Sequence, residues 1–229
     1  MSDDSDKRES PGVISWRREW MNAGVIVADV AFAVWAYPQL PEEVATHFNI
    51  AGEADGWSSP EFAAFFFPGL IVATWVLMLL SPRIDPRRRN YERFGPSFAI
   101  IRGSLVCFLA FIHVITLGMA LGWPVDVSAA VLNGVGVLLA IIGNQLPRIR
   151  HTYLVGIRTP WTLASETVWR RTHRLAGPIW LVGGLSIAIT GLFTPSIARW
   201  AFAICLAAMV GVPTVASYLW WREEEQGAA

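Results

Sequence analysis

The sequence is poor in charged residues and in cysteine. Only 16% of its 229 residues are charged, whereas 54% are hydrophobic. Because soluble domains carry about a quarter charged residues, this composition excludes an ordinary soluble protein. The two cysteines, Cys107 and Cys205, both lie within apolar runs. We interpret them as small buried hydrophobic residues rather than as a disulfide or a metal-binding pair.

Recognisable catalytic motifs are also absent. The chain shows no nucleophile–base pair, no phosphate-binding glycine loop and no pair of catalytic carboxylates. We therefore expect neither an enzyme nor a bound cofactor or metal. The formal net charge is zero, and we expect no direct contact with nucleic acid. No sequence repeat relates the two halves, so an inverted-repeat transporter gains no support.

What the sequence does contain is a series of long apolar runs. Their lengths approach the roughly 20 residues that cross the core of a bilayer. They predict an all-α, polytopic membrane protein with six transmembrane helices embedded in the lipid bilayer. The predicted helices cover residues 21–37, 62–80, 97–121, 128–142, 178–193 and 197–221.

The distribution of basic residues predicts the orientation of these helices. Six helices place both chain ends on the same side of the membrane. If that side is the cytoplasm, 17 of the 18 Lys and Arg residues lie in or beside cytoplasmic segments, and Arg199 alone lies outside. Because cytoplasmic loops carry the excess of basic residues, we predict a multi-pass plasma-membrane protein with both ends inside.

The polar segments between the helices divide the chain further. We predict a disordered and interfacial N-terminus over 1–20, a first pair of helices over 21–81 and four more helices over 97–221. The first pair encloses an acidic outer loop, and the connector after it is basic. In order, the polar segments after the N-terminus are the outer loop 38–61, the connector 82–96, the cytoplasmic stretch 143–177 and the acidic tail 222–229.

The stretch 143–177 is the most distinctive polar segment. It carries six arginines against one acid, together with two tryptophans and two histidines. Pro160 predicts a turn, and Ser165 predicts the N-cap of an amphipathic helix at the inner leaflet. Two interpretations stay open: a connector held by anionic headgroups, which the residue pattern favours, and a docking surface for a cytoplasmic protein.

Two charges fall inside predicted spans. Asp29 lies in the predicted cytoplasmic half of the first helix, and Arg102 lies near the cytoplasmic end of the third. Because an isolated charge is costly in hydrocarbon, we predict that these two residues pair. An ion or proton step is the functional alternative. We expect His113 and Asn133 to form hydrogen bonds between helices.

The outer loop carries His47, Asn49, Gly52 and Asp55 close together. Such oxygen and nitrogen donors are able to hold a divalent cation, but no recognised metal-ligand spacing is present. A second interpretation is a compact loop folded by Asn, Asp and Gly turns. Because the loop has no Lys or Arg, it also suits a cationic extracellular molecule.

Two segments resemble a known family. GIRTPWTLASETVWRRTHRLAG, at 156–177, resembles the signature of the SdpI family of bacterial membrane immunity proteins. LPEEVATHFNIAGEADGWSS, in the outer loop, is similar to a domain of unknown function that often precedes this signature. Six helices with cytoplasmic ends fit the family too, so the resemblance covers nearly the whole chain.

The resemblance implies a function in immunity and signalling. Its founding member protects a toxin-producing cell from its own peptide toxin and holds a repressor at the membrane when toxin is sensed. By this resemblance, His47, Asn49, Gly52 and Asp55 are candidates for sensing an extracellular peptide toxin. The candidates for capturing a cytoplasmic repressor or relaying the signal are Asn144, Gly156, Arg158, Thr159, Pro160, Trp161, Thr162, Glu166, Trp169, Arg171, Thr172 and His173.

A different class of function remains as the alternative. In a membrane permease or a lipid-associated membrane protein, Asp29, Arg102 and His113 would line a path through the bundle. Transport that depends on Asp29 would favour this alternative, whereas capture of a repressor by 143–177 would favour the receptor.

Overall fold

The computed structural model describes residues 16–49, 53–193 and 195–227. Across these residues it shows a helical bundle with one two-stranded sheet. The long elements are α1 (Trp16–Ala36), β1 (Val44–Phe48), β2 (Ala54–Ser58), α2 (Pro60–Ile84), α3 (Gly95–Ala120), α4 (Val127–Gln145), α6 (Glu166–Phe193) and α7 (Pro195–Gly227). A short helix, α5, spans Pro160–Ala164, and 3-10 turns span Tyr37–Gln39, Arg88–Arg93 and Leu146–Arg148.

Six helices in the described part of the chain are long and apolar enough to cross a membrane. They confirm the prediction of a polytopic all-α membrane protein. A backbone in hydrocarbon must satisfy its own hydrogen bonds, which is why the apolar runs form helices. Polar caps start two of them: Ser59 accepts from Phe62 N at 3.3 Å, and Asp126 accepts from Ala129 N at 3.0 Å.

The helices extend beyond their predicted limits at several ends. α2 continues to Ile84, and α7 continues to Gly227, so most of the predicted acidic tail is helical. The segment predicted as a separate amphipathic helix forms the first turns of α6, in one continuous helix with the fifth span. The predicted disorder of the N-terminus concerns residues that lie, up to position 15, outside the described part of the chain.

The bundle consists of two halves that meet where α3 packs against α4. In the first half, Ile26, Ile71, Val106 and Ala110 join α1, α2 and α3 in one apolar cluster. In the second half, α4, α6 and α7 pack together. α4 and α6 approach so closely that a Cβ on Gly184 would lie 2.4 Å from Ala140 N. Small residues therefore permit the backbone contact that holds this half together.

The two ends of the bundle differ in structure. At one end β1 and β2 pair as an antiparallel hairpin, 44–58, with register shifts on either side of His47. We call this the hairpin end. At the opposite end the stretch 143–177 folds against the connector 82–96, and we call 143–177 the signature unit and this end the signature end. A compact loop folded by Asn, Asp and Gly turns was one interpretation of the outer loop, and its strand pairing is a finding of the structure.

Candidate functional site

A buried carboxylate joins the connector to the signature unit. Asp85 accepts hydrogen bonds from Arg87 N at 2.8 Å and from Tyr91 Oη at 3.1 Å. It also accepts from Tyr153 N at 3.0 Å and Leu154 N at 3.1 Å. Four donors on one carboxylate hold it in place and fix the first loop of the signature unit.

Tyr91 supports the same junction from inside the apolar core. It is fully buried with Phe94 and Phe98 in a cluster that also contains Trp169. Burial, together with the neighbouring Asp85 carboxylate, raises the pKa of Tyr91 above its usual range. The phenol therefore stays protonated and donates to Asp85.

Further contacts cross between the connector and the signature unit. Asn90 Nδ2 donates to the backbone oxygen of His151 at 2.7 Å. The Arg87 guanidinium lies 4.7 Å from the centre of the Tyr153 ring and donates to Leu163 O at 3.5 Å. The two polar segments that the sequence analysis treated separately thus form one folded surface.

Trp169 lies at the centre of the signature unit. Its side chain is fully buried, and its indole Nε1 donates to Ile149 O at 3.0 Å. His151 lies on one side with ring centroids 4.9 Å apart, and His173 stacks on the ring at 4.2 Å. Burial, and then the charge of Arg87, lowers the pKa of His151, so this imidazole is neutral in the folded unit.

The hydrogen bonds of His173 define its tautomer. Ile157 N donates to Nε2 at 2.9 Å, and Nδ1 lies 2.8 Å from Trp169 O. Nε2 must therefore be unprotonated, while Nδ1 carries the proton and donates. In this arrangement His173 is a structural link between α6 and the preceding loop, because both ring nitrogens are occupied.

Gly156 occupies a position that no other residue fits without strain. Its φ is +123°, and a Cβ there would lie 2.6 Å from His173 Nε2 and 2.7 Å from the Trp169 ring. Both the backbone conformation and the space exclude a side chain. The loop can consequently lie flat against the Trp169 and His173 rings.

The residues after Gly156 start the short helix α5. Thr159 Oγ1 accepts from Thr162 N at 3.2 Å, and Thr159 N donates to Thr162 Oγ1 at 2.8 Å. This reciprocal capping box, with Pro160 at the first helical position, ends the loop and begins the helix. Ser165 is confirmed as the cap of α6, since its Oγ accepts from Val168 N at 3.2 Å, whereas Pro160, where a turn was predicted, is the first residue of the short helix α5.

Trp161 connects the signature unit to α7. Its indole Nε1 donates to Ser217 Oγ, and its ring packs edge-on against Tyr218 at 5.3 Å. Beside it, Arg171 lies 4.5 Å from the Trp220 ring centre and 3.7 Å from a Glu223 carboxylate oxygen. The C-terminal turns of α7 thus lie against the signature unit.

The twelve signature residues predicted as candidates fall into three groups by burial. The buried ones form the interior of the unit, and they are Thr162, Trp169, Thr172 and His173. The half-buried ones form its loop and its contact with α7, and they are Gly156, Thr159 and Trp161. The exposed ones are able to contact a partner, and they are Asn144, Arg158, Pro160, Glu166 and Arg171.

The predicted pairing of Asp29 with Arg102 is wrong. Arg102 is fully buried and pairs instead with Glu19, which also accepts from Trp75 Nε1 at 2.7 Å and Asn22 Nδ2 at 3.2 Å. Glu19 and Asp29 are ten residues apart, which separates them by about 15 Å along α1. Arg102 lies at the level of Glu19, so Asp29 is out of its reach.

Asp29 pairs with His113 across α1 and α3. His113 Nδ1 lies 2.9 Å from Asp29 Oδ1, and Phe67 stacks on the imidazole at 5.5 Å. Asp29 lies closer to the end of α1 than to its start, and so it lies in the half nearer the hairpin rather than in the predicted half. The predicted interhelical hydrogen bond of His113 is confirmed. That of Asn133 lacks support, because its buried Oδ1 has no hydrogen-bond partner and lies against Gly191.

The candidates in the outer loop lie on the hairpin. His47 Nδ1 and Asp55 Oδ1 are 2.5 Å apart on adjacent strands, and both side chains are exposed. Asn49 Nδ2 donates to Glu53 at 3.2 Å, and Glu53 N donates to Asn49 Oδ1 at 3.0 Å. Gly52 lies outside the described residues. Within the described ranges, no three His, Cys, Asp or Glu side chains converge as a metal site would require.

Comparisons with known proteins agree with this organisation. The model of the SdpI/YfhL protein family matches residues 148–218, which include most of the signature unit and the greater part of α7. The model of a domain of unknown function, DUF1648, matches residues 24–72 in the first half. The Immunity protein SdpI of Bacillus subtilis (strain 168) is 26% identical over 201 residues, which are 87% of this chain and 94% of that protein.

The chain is thus similar to the SdpI/YfhL family over residues 148–218 and to an immunity protein over most of its length. The resemblance inferred from the signature and from the outer loop is confirmed by separate family models. The protein is a multi-pass plasma-membrane homologue of an immunity protein. No solved structure matches the chain.

The sequence did not predict the part that three residues, Asp85, Asn90 and Glu19, have in organising this end of the bundle. Asp85 stood among five arginines of the basic connector, and its position before Pro86 at the end of a helix was the available signal. Asn90 carried no signal of its own. Glu19 was read as part of a polar flank, although it is the acid nearest to the start of the first apolar run.

Proposed function

We propose that this protein is a membrane immunity protein and receptor. Its hairpin end faces outward and meets or resists an extracellular peptide toxin, and its signature end holds a repressor protein in the cytoplasm. The observation that carries the proposal is the similarity to the Immunity protein SdpI, because it extends over 94% of that protein. Both ends of this chain therefore have counterparts in a protein named for immunity.

The charges at the two ends support this orientation. Exposed arginines cluster at the signature end, at Arg83, Arg88, Arg89, Arg93, Arg148, Arg150, Arg158, Arg170, Arg171 and Arg174. The outer segment 38–61 contains five acids and no Lys or Arg. An arginine-rich end faces the cytoplasm by the positive-inside rule, which leaves the acidic hairpin outside.

α7 supplies a physical connection between the two ends. Arg199 lies near its start at the hairpin end, and Ser217 and Tyr218 contact Trp161 at the other. Because α7 is one continuous helix with Pro213 between these contacts, a displacement of its outer turns, or a bend at Pro213, would change the contact at Trp161. Arg158, exposed three residues before Trp161, is then placed to report the change to a bound repressor.

Immunity is tested in the source organism. Deletion of the gene is expected to make cells sensitive to the secreted peptide fraction of the undeleted strain, and the full-length gene is expected to restore survival. Cells that tolerate the fraction equally well with and without the gene would refute the immunity function.

Repressor capture is tested by affinity purification of the full-length protein with a winged-helix repressor encoded near its gene. We expect capture by the wild type and loss of capture in Arg158→Ala and in Trp161→Ala. Arg93→Ala is the matched control, because it removes an exposed arginine from the connector outside the signature unit. Equal capture by all three variants would refute docking at the signature unit.

A permease is the rival function, and one observation favours it. Asp29 Oδ2 and His113 Nε2 are buried without hydrogen-bond partners, an arrangement that a proton-carrying pair would use. Asp29→Asn separates the two functions. Loss of a transport activity with immunity retained would favour the permease, whereas immunity without any Asp29-dependent transport favours the receptor.

A further inference from the structure

A cavity lies at the hairpin end where the two halves of the bundle meet. Its volume is about 590 Å³. β1 covers it, α2 and α3 form one wall, and α4 and α7 form the other. Volumes of this size and positions between domains are typical of sites that bind ligands.

The walls and the mouth of this cavity differ in chemistry. Apolar side chains form the walls, among them Phe48, Phe67, Ile115, Val131 and Phe202. The mouth is formed in part by His47 and Asn49, which bond to exposed carboxylates of the neighbouring strand and turn. The site therefore combines an apolar interior with an acidic rim.

We propose that this cavity binds the apolar side chains of a cationic extracellular peptide. The inference rests on the proposed function for the peptide nature of the ligand, and it adds the site and the chemistry of recognition. The apolar side chains occupy the cavity, and the cationic groups remain at the rim beside Asp55 and Glu53.

The charge of the rim favours a peptide over a phospholipid. A phospholipid would bring its phosphate against the carboxylates of the hairpin, which would repel it. A cationic peptide is attracted by the same groups. Arg199 lines the α7 side of the cavity, so the positive groups of the ligand would lie on the opposite side, beside the hairpin.

A ligand in this cavity would contact both halves of the protein at once. It would touch the hairpin and α3 on one side, and Phe202 and Ala203 of α7 on the other. Binding would favour one relative position of α7, whose far end contacts Trp161. The cavity is thus a physical starting point for the signal that the proposed function requires.

The test measures binding of a short dansyl-labelled peptide of leucine and lysine. The full-length protein is held in phosphatidylcholine nanodiscs, and the signal of empty nanodiscs is subtracted. Ala203→Trp fills the cavity and is expected to weaken binding by roughly tenfold, because the indole clashes with the ligand. Ala207→Trp is the matched control, since it adds the same side chain to another exposed position on α7, away from the cavity.

A second cavity-filling variant provides an independent test in case Ala203→Trp does not fold. Val131→Trp fills the cavity from α4, with lipid-exposed Val137→Trp as its control. Each variant is compared with the wild type by size-exclusion chromatography before binding is measured. Undiminished binding in a folded cavity-filling variant, or no binding to the wild type, would overturn the proposal.

The acidic rim is tested separately. We expect the double variant Glu53→Gln/Asp55→Asn to weaken binding by about threefold, with a smaller loss at high salt. A peptide with glutamine in place of lysine should bind the wild type more weakly. If it binds equally well, the occupant is a neutral or lipid-like molecule and the proposal is wrong.

Together, the binding assay and the survival assay distinguish a failure of the proposed site from a failure of the proposed immunity function. If the gene gives no protection but the peptide binds and is excluded by Ala203→Trp, the site stands and the immunity function fails. If the gene protects but Ala203→Trp protects as well as Ala207→Trp and also retains binding, the site fails and the immunity function stands.

Discussion

The signature end and the hairpin end are built in contrasting ways. At the signature end, buried residues such as Asp85, Trp169 and His173 bond to backbone groups of other segments. At the hairpin end, the side-chain pairs His47–Asp55 and Asn49–Glu53 lie within the hairpin and face solvent. Exposed pairs contribute little stability, whereas buried hydrogen-bonded groups are costly to disturb. The signature end is therefore a fixed surface, and the hairpin end can adjust to a ligand at low cost.

Truncation of a tryptophan at each end should give the largest difference in stability between the two ends. Trp169→Ala should lower the free energy of unfolding by about 4 kcal/mol, because it empties the centre of the signature unit. Trp57→Ala on the hairpin removes a side chain that is 57% exposed, and it should change stability by less than about 1 kcal/mol. Thermal unfolding in detergent measures both. Similar losses would contradict the contrast.

Substitutions of the buried charged residues should have the next largest effect on stability. Arg102→Met leaves Glu19 without its charged partner and should cost about 3 kcal/mol, and Glu19→Gln in addition should recover most of that loss. Asp29→Asn should cost only about 1 kcal/mol, because an amide can still bond to His113.

A double-mutant cycle in the same unfolding assay decides the pairing. Glu19 and Arg102 should be strongly coupled, whereas Asp29 and Arg102 should be coupled by less than about 0.5 kcal/mol. Strong coupling of Asp29 to Arg102 would refute the observed pairing.

Alanine substitution of two glycines with positive φ distinguishes the stability cost of backbone strain from the cost of a steric clash. Gly156→Ala should cost about 2–3 kcal/mol, because it adds strain and also forces a Cβ against His173 and Trp169. Gly122→Ala, in the turn at the hairpin end, should cost about 1 kcal/mol, because its φ is +84° but no atom lies within 4 Å of the added Cβ. Melting temperatures in detergent compare them, and equal costs would show that packing around Gly156 is loose.

The smallest expected effect is a loss of stability of the signature end at low pH, caused by protonation of His151. Its pKa is lowered in the folded state by burial and by Arg87, so the unfolded chain binds a proton more readily. The stabilisation is therefore complete above the unfolded pKa of about 6.5 and is lost as the pH falls below it. His151→Phe should reduce the fall in melting temperature between about pH 7 and pH 5. An unchanged pH profile would show that His151 does not cause it.

Much of this architecture could be predicted because it depends on composition and local pattern. The apolar runs identified six helices, and Ser165 was recognised as the N-cap of the helix that follows it. The 156–177 signature identified the similarity to the SdpI/YfhL family. The hairpin could not be predicted in the same way, because its strands are short and its register shifts interrupt the alternation of side chains.

Which residues pair with the buried charges could not be predicted from the sequence, for a different reason. Hydropathy shows that Asp29 and Arg102 lie within spans, but it does not show which helices are adjacent or at what depth the residues meet. The depth at which α1 and α3 pack decides whether Arg102 meets Glu19 or Asp29, which lie about 15 Å apart along α1. Asp85 was overlooked for the same reason, since its four donors come from two segments of the chain.

The sequence by itself determined that this protein is a six-helix membrane protein with a segment similar to the SdpI/YfhL family, because apolar runs and the signature are local properties. Only the tertiary structure decided that 143–177 is a folded unit built around Trp169 and joined to the connector through Asp85. It also decided that the buried pairs Glu19–Arg102 and Asp29–His113 join α1 to α3, and that a cavity lies between the halves. These features depend on which segments come together, and packing in three dimensions sets that choice.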